Sequence, residues 1–400
     1  MHRAHKIKLQ PTKAQEQYFV RACGTARFAF NWALAEWQKE YEAGGKPSEA
    51  ALRKKLNSIK ATEFPWMAEV TKCAPQQAIK NVGTAFQNFF RRVKQGGKPG
   101  YPKFKRKGQH DSFRADNGPA DANSHAVECI GKTIKLPRCG AVKMREALRF
   151  TGRTLSATVS KQADGWYVTL LVDTADIMSG PLGGGTVGVD LGLKNLAVLS
   201  TGEVLPPLKP HRALHSRLVR LSRSLSRKKK GSSNRAKAKT KLAKLHKRIA
   251  DIRVDALHKL THRLATEFDT IAIEDLNVKG MVRNSHLARS VSDAGFGEFR
   301  RQLEYKAAMT GTSVFIVDRF YPSSKTCSTC GEIHEMKLSN RVMVCSCGNV
   351  MDRDLNAAIN LKNKAVSSTV TACGEDGSGR GGNTATKPAS VKQEDLSTSC

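Results

Sequence analysis

The sequence predicts a multidomain α/β protein, and three observations support that prediction. Its 400 residues are more than a single hydrophobic core usually contains, so about two to four structural units are expected. A helical period extends from Thr12 to about Lys94, whereas residues 112–175 alternate like short strands. Beyond them, the apolar runs TIAIEDLNV and TSVFIVDRF lie between helical stretches, as buried parallel strands of an α/β layer do.

The N-terminal part of the chain predicts one strand, a helical section and several short strands. HKIKLQ alternates basic and apolar residues like a half-buried strand. The predicted helices are ARFAFNWALAEWQKEY, SEAALRKKLNSI and APQQAIKNVGTAFQNFFRRV. After them, a small β-barrel or sheet is expected, which HKIKLQ could join, from the runs KTIKLP, ALRFTG, LSATVSK and WYVTLLV.

The charge balance favours a polyanionic partner. There are 67 Lys and Arg against 35 acids, a net charge of +32, and nucleic acid is the commonest partner of such chains. No apolar run is long enough to span a membrane, and MHRAHKIKLQ lacks the apolar stretch of a signal peptide. We therefore expect a cytoplasmic protein, in which ten cysteines are not a disulfide framework.

Two basic segments are candidate nucleic-acid surfaces. Residues 96–108 carry five basic residues and two aromatics on a Gly- and Pro-rich stretch, which fits a solvated linker and a backbone contact equally well. Residues 217–253 hold fifteen Lys or Arg and one acid, an excess that favours a surface following phosphates over a solvated helix face. The candidate contacts are Lys103, Lys105, Arg106, Arg227, Lys228, Lys229 and Lys230.

Acidic residues occupy positions where a carboxylate is costly. Asp190 lies inside the apolar strand VGVDLG, Glu274 ends TIAIE, and Asp352 and Asp354 begin the helix DLNAAINL. Each alone is more often a cap or loop partner than a catalyst. Together they can converge on one pocket, where divalent cations would offset their repulsion. The pattern predicts two Mg²⁺ or Mn²⁺ ions and hydrolysis of phosphodiester bonds, and no Ser-His-Asp or Cys-His constellation competes with it.

Four of the ten cysteines are clustered. Cys327 and Cys330 form a CxxC, and Cys345 and Cys347 form a CxC. Four thiolates at this spacing fit one structural Zn²⁺, since residues i and i+2 of an extended chain share a face. The shortened second pair leaves two alternatives open: a site in which His334 replaces one sulfur, and a finger without metal.

Several long motifs resemble the TnpB family, OrfB-type proteins of bacterial insertion sequences related to type V CRISPR effectors. In chain order they include LQPTKAQEQ, ARFAFNWAL, GYPKFKRKG, VGVDLGLKNLAVLSTG, AIEDLNVKGMVRN, YPSSKTCSTCG and DRDLNAAINL, so nearly the whole chain is covered. The resemblance implies an RNA-guided DNA endonuclease that binds a guide RNA from the transposon end. Such a protein cuts double-stranded target DNA beside a short motif.

The family's three catalytic acids fall on Asp190, Glu274 and Asp354, with Asp352 as a near neighbour. One departure from the family is the second cysteine pair, which is usually CxxC. The protein is expected to act as a monomer with RNA in the bacterial cytoplasm, associated with the nucleoid.

The resemblance also implies a domain order. A RuvC-like (RNase H-type) nuclease domain with a zinc-ribbon insertion follows a wedge β-barrel that contains a helical recognition insertion. The expected ranges are 1–10 and 106–180 for the barrel, 11–105 for the helical bundle, 183–320 and 351–366 for the nuclease, 321–350 for the ribbon, and 367–400 for a Gly-, Ser- and Thr-rich disordered tail.

Two other functions stay open on the sequence alone. One is a transposase that cuts and joins DNA ends, because two-metal carboxylates do not separate the two enzymes. The other is a non-catalytic zinc-containing regulator that binds nucleic acid. The acids argue against the regulator, since a pure binder gains nothing from self-repelling carboxylates in an apolar setting.

Overall fold

The computed structural model describes residues 1–97, 99–118, 127–174, 180–181, 183–337 and 339–374. The chain forms two compact units, Met1–Ser179 with Pro210–Val254, and Gly180–Lys209 with Asp255–Cys400. Residues 210–254, assigned to the nuclease section from the sequence, therefore group with the first unit. Within the described ranges, no helix combines the length and apolar character needed to cross a bilayer.

The first unit contains a seven-stranded antiparallel sheet of order β2-β6-β7-β1-β5-β4-β3. Its strands are β1 (His2–Gln10), β2 (Ser112–Asp116), β3 (Glu128–Ile130), β4 (Thr133–Leu136), β5 (Gly140–Met144), β6 (Arg153–Gln162) and β7 (Gly165–Asp173). HKIKLQ does join the later strands, as predicted.

The predicted strand at ALRFTG is wrong. Residues 147–152 contain no strand, and β5, which the sequence analysis missed, pairs with β1 instead. The chain turns there at Gly152, whose φ of +145° is rarely accessible to a residue with a side chain. A Cβ at this position would also overlap the carbonyl oxygen of Asp173. The β-like composition is therefore overridden by the close approach of Gly152 to the end of β7.

One side chain links the two edge strands of this sheet. Asn117, directly after β2, donates from Nδ2 to the carbonyl oxygen of Val127 over 2.8 Å and accepts the Val127 N–H over 2.6 Å. Val127 directly precedes β3. The edges β2 and β3 thus approach each other at this end, as they do when a sheet closes towards a barrel.

The predicted helices of the first unit are confirmed. They are α1 (Lys13–Glu42), α2 (Glu49–Ile59) and α3 (Cys73–Lys94). The unit also contains a 3₁₀ helix (Pro65–Glu69), α4 (Pro210–Ala213), α5 (His215–Ser226) and α6 (Ser233–Glu267), whose last part belongs to the second unit. A capping box between Thr12 and Gln15 begins α1. The stacked rings of Trp37 and Phe86, 4.5 Å apart, join α1 to α3.

A cation of α6 is used to hold that helix on the sheet. Lys247 lies 5.0 Å over the ring of Tyr167 and 3.8 Å from the Asp164 carboxylate, and its side chain is 14% exposed. Lys247 is therefore engaged within the protein, whereas the sequence analysis predicted that the basic residues of 217–253 face phosphates. Among the apolar side chains of α6, Leu245 and Ile249 are buried, whereas Ile252 is exposed.

The second unit is built on a five-stranded mixed sheet of order β10-β9-β8-β11-β12. Its elements are β8 (Thr186–Leu191), β9 (Ala197–Leu199), β10 (Val204–Leu205), β11 (Thr270–Glu274), α7 (Val278–Arg283), α8 (Ala288–Ala294), α9 (Phe296–Thr310), β12 (Ser313–Val317), β13 (Val342–Val344), β14 (Val350–Asp352) and α10 (Arg353–Gly374). As predicted, β11 and β12 are parallel to each other, and both are parallel to β8.

The two faces of this sheet are covered differently. Val189 and Ile273 point to one face, where they join a core that includes Leu264 of α6 and Phe299 of α9. Because successive residues of a strand face opposite sides of the sheet, the Cα of Gly188 faces the other side. There, a Cβ on Gly188 would overlap the carbonyl oxygen of Ala358 in α10. The backbones of β8 and α10 are therefore in direct contact.

The predicted start of the disordered tail at Ser367 is wrong. Helix α10 continues through Gly374, because no Pro or Gly interrupts it before that residue and a packed helix extends at little cost once begun. Leu361 and Ala365 supply the packed part, against Ala272 of the sheet. The rest of the predicted tail, residues 375–400, lies outside the described residues.

We predict that Gly188→Ala destabilises the second unit by about 1–3 kcal/mol, because the added methyl group must displace α10 from β8. Gly297→Ala in α9 is the matched control, since its Cβ would meet no atom closer than 4.0 Å. The measurement is chemical denaturation of both variants beside the unchanged chain. Equal unfolding midpoints for the two variants would contradict the direct backbone contact.

Candidate active site and metal centre

Two of the predicted acids stand side by side at the end of the sheet. Val189 of β8 is paired with Ile273 of β11, and the next residue on each parallel strand is Asp190 and Glu274 respectively. Both carboxylates are half-buried. They lie at the carboxyl ends of their strands, the edge at which open α/β sheets bind ligands.

The third predicted acid comes from the helix that covers this face. Asp190 shares the face of Gly188, two residues earlier, and Asp354 precedes Ala358 by one helical turn, so it lies on the same side of α10. Gly188 and Ala358 are in contact. Asp190 lies two residues beyond Gly188 on β8 and Asp354 one turn before Ala358 on α10, so the two acids lie near each other. The structure thus brings together three acids that are 84 and 80 residues apart in sequence.

The pKa of Asp190 reflects the proximity of the other two acids. The pKa of Asp190 is raised to about 7, chiefly by burial, then by the negative charges of Asp354 and Glu274, with a smaller effect of Asp352. Arg353 acts in the opposite direction. Burial also raises the pKa of Glu274. Carboxylates that repel one another in a half-buried place are a suitable environment for divalent cations.

The three acids offer only carboxylate oxygens as metal ligands. Carboxylate oxygens are the ligands preferred by Mg²⁺ and Mn²⁺. Among the described residues, the oxygens of Asp190, Glu274 and Asp354 are not gathered within 4.8 Å of one another. The chemistry of the donor atoms therefore fits Mg²⁺ or Mn²⁺.

Asp352 has a different role from Asp354. Its Oδ1 accepts the backbone N–H groups of Asp354 over 2.9 Å and Leu355 over 3.2 Å, and its side chain is exposed. These are the bonds of a helix N-cap, which satisfies donors that have no partner within the helix. The sequence left Asp352 and Asp354 as alternatives for the third acid, and the capping bonds give Asp352 a structural function at the start of α10.

A further acid next to Glu274 escaped the sequence analysis. Asp275 accepts from Nη1 of Arg300 over 2.6 Å and from Nε of Arg319 over 3.1 Å. Hydrogen bonds from Arg319 and Arg300 lower the pKa of Asp275, so its charge is already balanced by protein cations. It joins α9 to the segment after β12, and the dipeptide Glu274-Asp275 was its only sequence signal.

The four clustered cysteines form a second candidate metal centre. Their sulfurs all lie within 4.8 Å of one another, with Cys327 Sγ 3.7 Å from Cys347 Sγ and Cys330 Sγ 3.4 Å from Cys345 Sγ. Four thiolates around Zn²⁺ at Zn–S ≈ 2.3 Å would stand about 3.8 Å apart. The cluster therefore has the donors and the approximate spacing of a structural zinc site.

Two turns present the sulfurs. Gly331 donates its N–H to the carbonyl oxygen of Cys327 over 2.9 Å, and Gly348 donates to Cys345 over 3.0 Å. Both glycines have positive φ, +83° and +88°, which favours glycine at these positions. In the CxC pair the glycine comes one residue sooner, so a tighter turn replaces the usual one without removing a sulfur from the cluster.

The surroundings of Cys327 favour its thiolate. The backbone N–H of Cys330 lowers the pKa of Cys327 to about 5, assisted by the side chain of Asn349, whose Nδ2 donates to Cys327 Sγ over 3.3 Å. The alternative ligand His334 is also nearby: it forms a second possible metal-holding group with Glu332 and Cys345. The geometry thus contains both the four-cysteine set and a His334 alternative.

The basic segment at residues 96–108 is held against the helical bundle. Asn31 donates from Nδ2 to the carbonyl oxygen of Lys105 over 3.0 Å and accepts the N–H of Lys105 over 2.8 Å. The ammonium group of Lys105 lies 4.2 Å over the ring of Phe30, and burial lowers the pKa of Lys105. Lys103 and Arg106 on either side are exposed. The segment is therefore an anchored basic strip, not a free linker.

Three family models match this chain. The OrfB_IS605 model, described as "Probable transposase", matches residues 169–285. A "Cas12f1-like, TNB domain" matches residues 296–361, which include the cysteine cluster. A model described as "Helix-turn-helix domain" matches residues 1–46, although those residues form the strand β1 and the single helix α1.

Relatives match over almost the whole chain. A protein of Streptomyces pristinaespiralis named "Putative RNA-guided DNA endonuclease" is 35% identical over 98% of this chain and 96% of its own length. The "Putative RNA-guided DNA endonuclease InsQ" of Escherichia coli (strain K12) is 34% identical over 93% of this chain and 94% of its own length. The "TnpB-like protein L79" of Acanthamoeba polyphaga mimivirus is 34% identical over 36% of this chain and 28% of its own length.

The chain belongs to the TnpB family. The predicted family membership is thereby confirmed. Among solved structures, this TnpB chain resembles a Cas12f1 chain from a complex with single-guide RNA and target DNA, with a TM-score of 0.60 and 15% identity over 88% of this chain and 84% of that one. That likeness shows a Cas12-like multidomain fold.

We predict that Asp352→Ala in this TnpB chain speeds amide hydrogen exchange at Asp354 and Leu355 by about fivefold, the equivalent of roughly 1 kcal/mol for a lost N-cap. Asp352→Asn keeps an accepting oxygen, so exchange at both amides should stay close to that of the unchanged chain. The measurement is exchange followed by mass spectrometry. Equal exchange in both variants would show that Asp352 does not cap α10.

Proposed function

We propose that this chain is a transposon-encoded RNA-guided DNA endonuclease. It takes a guide RNA from the transposon end, recognises target DNA beside a short motif, and hydrolyses phosphodiester bonds. The observation that carries the proposal is the meeting of Asp190, Glu274 and Asp354 at one edge of a sheet, in a chain whose relatives over nearly full length are named RNA-guided DNA endonucleases.

The second unit would then be the RuvC-like, RNase H-type nuclease domain. Its mixed sheet, with three antiparallel strands followed by two parallel ones, fits that fold. The first unit would be the wedge barrel with its helical insertion at residues 11–105, a reading supported by the approach of β2 and β3 through Asn117. Residues 321–350 would be the zinc ribbon.

In the nuclease site, Asp190, Glu274 and Asp354 would hold Mg²⁺ or Mn²⁺. When bound, two such ions supply an activated water and neutralise the charge that develops at the leaving 3′ oxygen. The strand-borne carboxylates are fixed by the β8–β11 ladder, and the helix-borne one by the contact of α10 with Gly188. The chain's own contribution is thus to hold three negative groups at a fixed separation that costs no rearrangement when DNA arrives.

Guide RNA and double-stranded DNA are the partners that the charge of +32 best serves. In guided recognition, base pairing reads the sequence, whereas the protein mainly contacts backbone and duplex shape. The anchored strip with Lys103 and Arg106 and the exposed cations Arg227, Lys229 and Lys230 would contribute such contacts. Lys105 and Lys228, the other two predicted contacts, would do so less directly, because Lys105 rests on Phe30 and Lys228 is half-buried.

A transposase is the second candidate, favoured by the description of the matching model as "Probable transposase". The same acids would serve it, since both reactions use two-ion chemistry at a phosphodiester. The products differ: a guided nuclease leaves free ends, whereas a transposase joins one end to a second duplex.

We predict that the chain, purified with an RNA from its flanking element, cuts a matching duplex in Mg²⁺. Asp190→Ala, Glu274→Ala and Asp354→Asn should each lower cutting by more than about 100-fold, because removal of a direct ligand should exceed the 10–100-fold typical of outer residues. Asp352→Asn should cut at nearly the unchanged rate, since its cap survives. Cutting that ignores the guide, or that survives the first two substitutions, would refute a guided nuclease, and strand transfer would favour the transposase.

We predict one tightly bound zinc per chain, held by Cys327, Cys330, Cys345 and Cys347. His334→Ala should keep that zinc, whereas Cys347→Ser should weaken its binding strongly, because a thiolate contributes charge that a hydroxyl does not. Elemental analysis of the purified variants gives the stoichiometry. Loss of zinc in His334→Ala would instead identify the site in which His334 replaces one sulfur.

A further inference from the structure

We propose that the buried carboxamides of Asn356 and Asn360 link Asp354 to the cysteine cluster, so that the metal held by the four thiolates positions the third acid of the nuclease site. The inference deepens the proposed function, because it takes Asp354 as one of that site's ligands. Asn356 and Asn360 would be positioning residues, since they act on the reaction through Asp354.

Asn356 forms hydrogen bonds with the backbone of the residues directly before and after Cys327. It is fully buried, and its Nδ2 donates to the carbonyl oxygen of Thr326 over 2.7 Å, while its Oδ1 accepts the N–H of Ser328 over 2.9 Å. A buried carboxamide that uses both its donor and its acceptor fixes its partners in distance and direction. Asn356 lies two residues after Asp354, in the first turns of α10.

Asn360 repeats the link one helical turn later. It is 3% exposed and donates to the carbonyl oxygens of Ser323 over 2.8 Å and Thr326 over 2.6 Å. Residues four apart stand on one side of a helix, so Asn356 and Asn360 form a continuous polar stripe. The segment that carries the first cysteine pair is thereby attached along the first part of α10.

The second cysteine pair reaches the same helix through the backbone. Cys345 directly follows β13, which pairs with β14, and the N–H of Cys345 donates to the carbonyl oxygen of Asn349 over 2.9 Å. Strand β14 ends at Asp352, the N-cap of α10. Asp354 therefore lies between two attachments, one to each cysteine pair.

The metal would join these two attachments. Among residues 321–337 and 339–350, Met343 is the one buried apolar side chain besides the cysteines. A segment with so little apolar burial keeps its shape through a cross-link rather than through a core. Loss of the metal would loosen both attachments together, and the start of α10 would then be held relative to Asp190 by the Gly188–Ala358 contact alone.

The first test compares zinc affinity in three variants. Asn356→Ala and Asn360→Ala remove the links, whereas Asn363→Ala is the matched control. Asn363 is an exposed carboxamide on the same helix, and its Nδ2 lies 3.5 Å from the carbonyl oxygen of Ser328, at the outer limit of a hydrogen bond. Competition with a colorimetric chelator gives the zinc dissociation constant of the full chain. We expect it to rise by about 10–100-fold for Asn356→Ala, as for other residues that orient metal ligands, and to stay unchanged for Asn363→Ala.

The second test measures divalent-ion binding at the nuclease site without nucleic acid. Electron paramagnetic resonance of added Mn²⁺ should show weaker binding in Asn356→Ala, in Asn360→Ala and in the zinc-stripped chain, with guide RNA affinity unchanged. General destabilisation would reduce the folded fraction but would not shift the Mn²⁺ dissociation constant of the folded protein. Wild-type zinc and Mn²⁺ affinities in both variants would overturn the link, and so would full Mn²⁺ affinity in the zinc-stripped chain.

These readouts separate the link from the nuclease itself. If the unchanged chain with guide RNA does not cut DNA but zinc removal still weakens Mn²⁺ binding, the link stands and the nuclease function fails. If the chain cuts and Mn²⁺ binding ignores zinc, the nuclease stands and the link fails. Should Asn356→Ala fail to fold, Asn360→Ala and the zinc-stripped chain decide the same question.

Discussion

The direct contact between β8 and α10 at Gly188 is the constraint on which the candidate active site depends. A side chain at that position would hold the helix further from the strand, and Asp354 would then raise the pKa of Asp190 less than it does. Glycine here therefore has a chemical consequence as well as a steric one. It sets how strongly the strand-borne and helix-borne carboxylates repel each other, and so how strongly the site favours cations.

The start of α10 combines several tasks in nine residues. Asp352 caps the helix, Asp354 faces the strand-borne acids, Ala358 touches β8, and Asn356 and Asn360 bind the cysteine segment. The helical period makes this possible, because positions 354 and 358 share one side while positions 356 and 360 share another. The motif DRDLNAAIN therefore encodes two different surfaces of one short helix.

The sequence predicted those features whose signals are local. An apolar run with an acid at its end indicates a buried strand that carries a carboxylate to the edge of a sheet, which holds for Asp190 in β8 and Glu274 in β11. Cysteine spacing likewise predicted the thiolate cluster around Cys327. What could not be predicted depends on partners distant in sequence. The roles of Asn356 and Asn360 follow from bonds to residues 28–37 positions away, and β-like composition at residues 147–152 was overridden by the close passage at Gly152.

The two hydrogen bonds between Asn31 and the backbone of Lys105 have a consequence for the thermodynamics of association. Ordering a loose chain segment on a ligand costs roughly 1–2 kcal/mol per residue in backbone entropy. In the basic strip that cost is met during folding, because α1 already holds the segment in place. Nucleic acid that contacts Lys103 and Arg106 would then need to immobilise only their side chains, so a larger share of the electrostatic attraction would become net affinity.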